Sequence, residues 1–215
     1  MIKKYFLLNA LFILSVTSYS EPLDPVKLLS NYVGIDTVNP PGNESRAVDF
    51  YAKIFEKEGI EFSSGESAPG RGNIWARIKG GDLPALILLQ HTDVVPATKK
   101  YWDTDPFVAE IKDGYLYGRG VIDMKGAGIS QLVSFIRLHR SGLSLNRDVV
   151  FVATADEEAG GMFGAGWLID NHPEIFEGAG FVINEGGSGQ IIDGEKVFAI
   201  EITQKVPVWL RFTAV

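Results

Sequence analysis

Six side chains of types that do chemistry stand where apolar sequence gives way to polar sequence. His91-Thr92-Asp93 follows the run ALILLQ at 85–90, and Asp156-Glu157-Glu158 follows DVVFVATA at 148–155. Glu185 follows Phe181-Val182-Ile183-Asn184, and Asp123 lies in Gly118-Arg119-Gly120-Val121-Ile122-Asp123-Met124-Lys125-Gly126. Each has an ordinary reading. A histidine after a strand is usually hydrogen-bonded structure, Asp123 could cap a helix, Glu157-Glu158 could be a solvated pair, and Glu185 could be a turn residue. Taken together they read differently. Adjacent carboxylates after a buried strand repel unless a cation lies between them. One can then bind a metal while the other moves a proton. Asp93, two residues past His91, can engage the second imidazole nitrogen, as metal-bound histidines require. The chain has no cysteine, so the donors are nitrogen and oxygen, which suit zinc, cobalt or manganese.

These residues need a scaffold that brings strand ends together. Continuous apolar runs at Ala85–Gln90 and Asp148–Ala153, with the shorter Phe181–Ile183, read as strands buried on both faces; Asn73–Ile78 reads as a further strand. Asp24–Gly34, Glu44–Glu58 (closed by Gly59), Met124–His139 and Phe163–Asn171 read as helices, and Asn39-Pro40-Pro41-Gly42-Asn43 as a loop. Strands alternating with helices predict an α/β fold: a mixed, largely parallel sheet with helices on both faces. Ligands in such sheets gather at the carboxyl ends of the strands. Lys196–Thr203 and Val206–Val215 also read as strands, and the chain stops inside the second. The expectation is a catalytic domain over 21–200, then residues 201–215 as the start of a truncated further domain.

Composition narrows the partners. With 46% hydrophobic and 22% charged residues the chain is globular. A net charge of −7 without a basic cluster argues against nucleic acid. The glycines around Asp123 do not follow the dinucleotide-loop spacing. Residues 1–20 combine Lys3-Lys4, an apolar stretch from Tyr5 to Val16, and small residues at Ser18 and Ser20. This is a signal-peptide pattern, too short for a spanning helix. The expectation is an exported protein, periplasmic or secreted, with no stable membrane span after cleavage.

The stretches IDTVNPPGNE, LLQHTDVVPA, WDTDPF (102–107), YGRGVIDMKG, TADEEAGG, GAGW and INEGG carry a specific likeness. In order and spacing the chain resembles the di-zinc metallopeptidase family of aminoacylase-1, acetylornithine deacetylase, succinyl-diaminopimelate desuccinylase and carboxypeptidase S. The resemblance implies hydrolysis of amide bonds in N-acyl amino acids or small peptides. It implies that His91 and Glu185 bind one zinc, Glu158 the other, and Asp123 both, with a cis peptide to Met124. Glu157 would be the general base and Asp93 would orient His91. Glu rather than Asp at 185 looks more like the aminoacylase and carboxypeptidase S branches. Two family features have no match here: a distant histidine that closes the second metal site, and a lid or dimerisation domain. His139 and His172 do not fit the missing positions. The chain alone is therefore expected to hold one metal tightly and turn over poorly, with a homodimer only where the lid is present. A metal-binding remnant without useful catalysis is the alternative.

Overall fold

The computed structural model describes residues 21–200 and 212–213. The expected signal segment, the strand at Val206–Val215 and the end of the strand at Lys196–Thr203 therefore lie wholly or largely outside the described residues. The chain begins with α1 (Pro25–Val33), α2 (Ser45–Glu58), β1 (Phe62–Glu66), β2 (Gly72–Ile78) and β3 (Leu83–His91). It continues with β4 (Glu110–Lys112), β5 (Tyr115–Tyr117), α3 (Gly126–Ser141), β6 (Arg147–Thr154) and α4 (Ala165–Asn171). It closes with β7 (Ala179–Ile183), β8 (Ser188–Ile192) and β9 (Glu195–Ala199).

Local chemistry sets the helix ends. The Asp24 carboxylate accepts from the N–H groups of Val26 and Lys27 at 3.0 and 3.1 Å, and Pro25 occupies the first turn. The helix α2 buries Ala47, Tyr51 and Phe55, one per turn, and stops at Gly59, whose φ of 66° favours glycine. Glycine inside α3 has a packing reason. A Cβ on Gly128 would collide with the Gln90 side chain, so its absence lets the helix lie close against β3.

The main sheet has the order β1-β2-β6-β3-β7. The pairs β1/β2 and β2/β6 are antiparallel, whereas β3/β6 and β3/β7 are parallel. The fold is thus α/β with a mixed, partly parallel sheet, the parallel half being the part that carries the site. Side chains alternate between two cores. On one face Tyr51, Phe55, Phe135 and Phe151 interlock beneath α1, α2 and α3. On the other, Ile87, Val150 and Val152 meet Leu168 and Ile175.

One expectation is corrected. The strand at Phe181–Ile183 forms, as part of β7, but its side chains are 50–60% exposed rather than buried. It is the edge strand, paired only to β3 among the described residues. Two hairpins, β4–β5 and β8–β9, stand outside the main sheet.

Candidate metal centre

Parallel register assembles the site. His91, the last residue of β3, is level with Thr154, the last of β6, and Leu88 is level with Ile183, the last of β7. Residues just beyond these ends must therefore meet. Asp123 reaches the same place from the turn before α3, through a cis peptide to Met124. Its side chain caps no helix.

His91 is the centre of the group. Its side chain is 1% exposed, and its Nε2 lies 3.0 Å from Asp123 Oδ1, 3.3 Å from Glu185 Oε2 and 3.9 Å from Glu157 Oε2. Two overlapping sets, His91/Glu157/Glu185 and His91/Asp123/Glu158, each place their ligand atoms within 4.8 Å of one another. All four carboxylates expected from the sequence thus converge on the imidazole. The sets do not separate Glu157 from Glu158, since each glutamate stands in one of them.

The electrostatics call for a cation. Glu158 is pushed up to about 7, by burial first and then by the Asp123 charge. Glu185 is raised too, by burial and by Glu157 and Asp123, against the pull of His91. Burial alone would lower the His91 pKa, yet Asp93, Glu185 and Glu157 together raise it to about 10. Excess negative charge is being relieved with protons. A divalent metal does the same more effectively, and one nitrogen with several carboxylates is a donor set that zinc accepts. The residues present fit such an ion.

Asp93 does more than expected. The group nearest to His91 Nδ1 is the Asp93 backbone carbonyl at 3.0 Å, with carboxylate Oδ1 at 3.5 Å. An Nδ1–H donated there leaves the Nε2 lone pair facing the acids, as ligation requires. The buried carboxylate accepts the N–H groups of Glu157 and Glu158, both at 3.1 Å, and the Asn39 amide at 2.8 Å. Against its burial, the His91 side chain first, then the Asn39 amide and the Glu158 N–H, hold its pKa down. Asp93 therefore ties the end of β3 to the turn after β6.

A polar cluster beside the centre was not anticipated as functional. Asn39, Glu44, Arg71 and Asp156 are all buried. Arg71 pairs with Asp156 and, at 3.4 Å, with Glu44. Asp156 holds a left-handed backbone, φ 69°, that starts the Glu157–Glu158 turn. The loop residues Asn39 to Glu44 carried a sequence signal, but nothing in their spacing pointed to Arg71. His139 and His172 do not join the centre: His139 is in the last turn of α3, and His172 packs between Trp75 and Trp167 at 4.8 and 5.1 Å.

The family profile described as Peptidase family M20/M25/M40 matches residues 87–209. Aminoacylase-1B of Rattus norvegicus is 32% identical over 192 residues, covering 88% of this chain and 46% of the relative. Succinyl-diaminopimelate desuccinylase of Ehrlichia canis (strain Jake) is 32% identical over 163 residues, 71% of this chain and 41% of that protein. Among solved structures, human carnosine dipeptidase 1 superposes with a TM-score of 0.58 at 26% identity, covering 74% of this chain and 38% of that one. The chain thus spans about half the length of the curated relatives it matches. By the profile match and by the identity to these relatives over most of its length, the chain belongs to the M20/M25/M40 peptidase family.

Proposed function

We propose that this chain carries the metal-binding catalytic part of an exported hydrolase that cleaves amide bonds in N-acyl amino acids or small peptides. The observation that carries the reading is the convergence of His91, Asp123, Glu157, Glu158 and Glu185 at the carboxyl ends of three strands. The family membership and the aminoacylase and dipeptidase relatives support it.

His91 and Glu185 would hold one zinc, Glu158 a second in the full-length protein, and Asp123 would contact both. Cobalt or manganese could replace zinc in such a set. When bound, the metal supplies Lewis acidity towards the scissile carbonyl and the attacking water. Glu157 takes the proton from the water as it attacks and returns it to the leaving amine nitrogen. Asp93 sets the approach, because it grips the backbone N–H of Glu157 and orients His91 through its carbonyl. Among the described residues these donors complete one three-ligand site, whereas the other is left with Asp123 and Glu158. The 215 residues alone are accordingly assigned one tight ion.

The test is kinetic, on the zinc-loaded full-length protein with N-acetyl amino acids and dipeptides. Glu157→Gln should retain zinc and lose about 10²–10⁴-fold in kcat, because only proton transfer is removed. His91→Ala should lose zinc first. An unchanged kcat in Glu157→Gln would show that another group is the base.

A further inference from the structure

Asn39 is 5% exposed at the start of the Asn39-Pro40-Pro41-Gly42-Asn43 loop. Its amide is oriented by partners of opposite kind. Arg71 Nη1 donates to Asn39 Oδ1 at 3.2 Å, so the Nδ2 end must face the acids. There Nδ2 donates to Asp93 Oδ2 at 2.8 Å and to Asp156 Oδ1 at 3.3 Å. Arg71 is itself fixed: Nη1 donates to the Pro41 carbonyl at 2.8 Å, its other end pairs with Asp156, and the guanidinium lies over the Phe163 ring. The side-chain hydrogen bonds and ion pairs of Asn39 and Arg71 run to one another, to Asp93, Asp156 and Glu44, and to the Pro41 carbonyl.

The consequence falls on Asp93. Its carboxylate accepts three N–H donors, two from the Glu157–Glu158 backbone and one from Asn39. Only the Asn39 donor comes from outside the centre. The two turn N–H groups take Oδ1 and Oδ2 separately, and Asn39 adds a second donor to Oδ2, the oxygen that Glu158 N–H also holds. Arg71, bonded to the amide oxygen, prevents the Asn39 amide from turning over.

We propose that Asn39, set in orientation by Arg71, is a positioning residue for the metal centre, acting through Asp93. It lets one buried carboxylate fix the Glu157–Glu158 turn and keep its carbonyl on His91 at once. The inference rests on the hydrolase reading above and adds to it a residue group that touches neither metal nor substrate.

The experiment uses the full-length protein with Asn39→Ala, Asn39→Asp, Asp93→Asn and the double variant Asn39→Ala/Asp93→Asn. Zinc affinity is read by competition with a chromophoric chelator, ligand geometry by the visible spectrum of the cobalt(II) form, and kcat and KM separately. Asn39→Ala should weaken zinc about 10–100-fold and lower kcat by a similar factor, with KM within about threefold of wild type. The cobalt spectrum should change. The double variant should be about as impaired as Asp93→Asn alone, because both act through one group. Should Asn39→Ala fail to fold, Asn39→Asp keeps the size and the acceptor for Arg71 while removing the donor, and the same losses are expected. A folded variant with wild-type zinc affinity, cobalt spectrum and kcat would overturn the inference, as would additive effects in the double variant. A wild-type protein that neither binds zinc nor hydrolyses any amide would instead overturn the hydrolase reading on which it rests.

Discussion

At His91 two opposing effects meet. Burial disfavours the imidazolium, yet the surrounding carboxylates win and raise the pKa to about 10. The metal-free chain therefore holds a proton on this ring at neutral pH. A folded-state pKa above the unfolded value contributes stability that is complete below about 6.5 and is lost as pH rises through about 10. Zinc must displace that proton. Apparent zinc affinity should consequently rise with pH between 6 and 10, by up to about tenfold per unit, as measured by chelator competition in a series of buffers. A flat profile would mean that the ring carries no proton for the metal to displace. Residue types and spacing made the five converging side chains legible, because each stands at a strand end or just before a helix. The Asn39–Arg71 pairing was not legible. It joins a loop to the residue just before the strand β2 across 32 positions of sequence, and an arginine next to a glycine has no local signature.

At the scale of elements, what matters is that β3 and β6 stay in register. Phe151 in β6 is fully buried and meets Tyr51, Phe55 and Phe135 at ring-centroid distances of 5.3, 5.5 and 5.7 Å. It joins α2 and α3 to the strand that ends beside His91. Phe151→Ala should cost about 3–5 kcal/mol of stability, read from denaturant unfolding of the zinc-free protein. A loss below about 1 kcal/mol would mean that the aromatic cluster is not the keystone of this face. Long apolar runs such as ALILLQ and DVVFVA foretold β3 and β6, since a strand covered on both faces has little room for polar residues. The same rule overstated β7. Its apolar triplet is composed like a central strand, yet among the described residues it has a neighbour on one side only. The strand β1, Phe62-Ser63-Ser64-Gly65-Glu66, escaped notice because an edge strand needs no continuous apolar pattern; its pairing with β2 and the packing of Phe62 on Phe55 hold it.

For the whole molecule, the sheet acts as a rigid comb whose strand ends present one imidazole and three carboxylates to a common point, where the turn before α3 adds Asp123. No helix among the described residues is long and apolar enough to cross a membrane. The proposal of export rests on residues 1–20, and it has its own test. Expression in a bacterial host with a working secretion system should yield a protein whose N-terminus, read by mass spectrometry, is Glu21. An intact Met1 on protein confined to the cytoplasm would contradict it. The α/β class followed from the alternation of apolar runs and amphipathic segments. The balance of parallel and antiparallel pairing did not, because strand direction depends on connections that local sequence does not encode.

The central claim is that these strand-end residues form a metal centre in which Glu157 is left free to move a proton. Anomalous X-ray scattering at the zinc edge, from crystals of the zinc-loaded protein, tests this most directly. The account expects a strong peak about 2.0–2.2 Å from His91 Nε2 and from oxygens of Asp123 and Glu185, with Glu157 outside bonding distance. A peak bound by Glu157, or no peak within reach of His91, would contradict it.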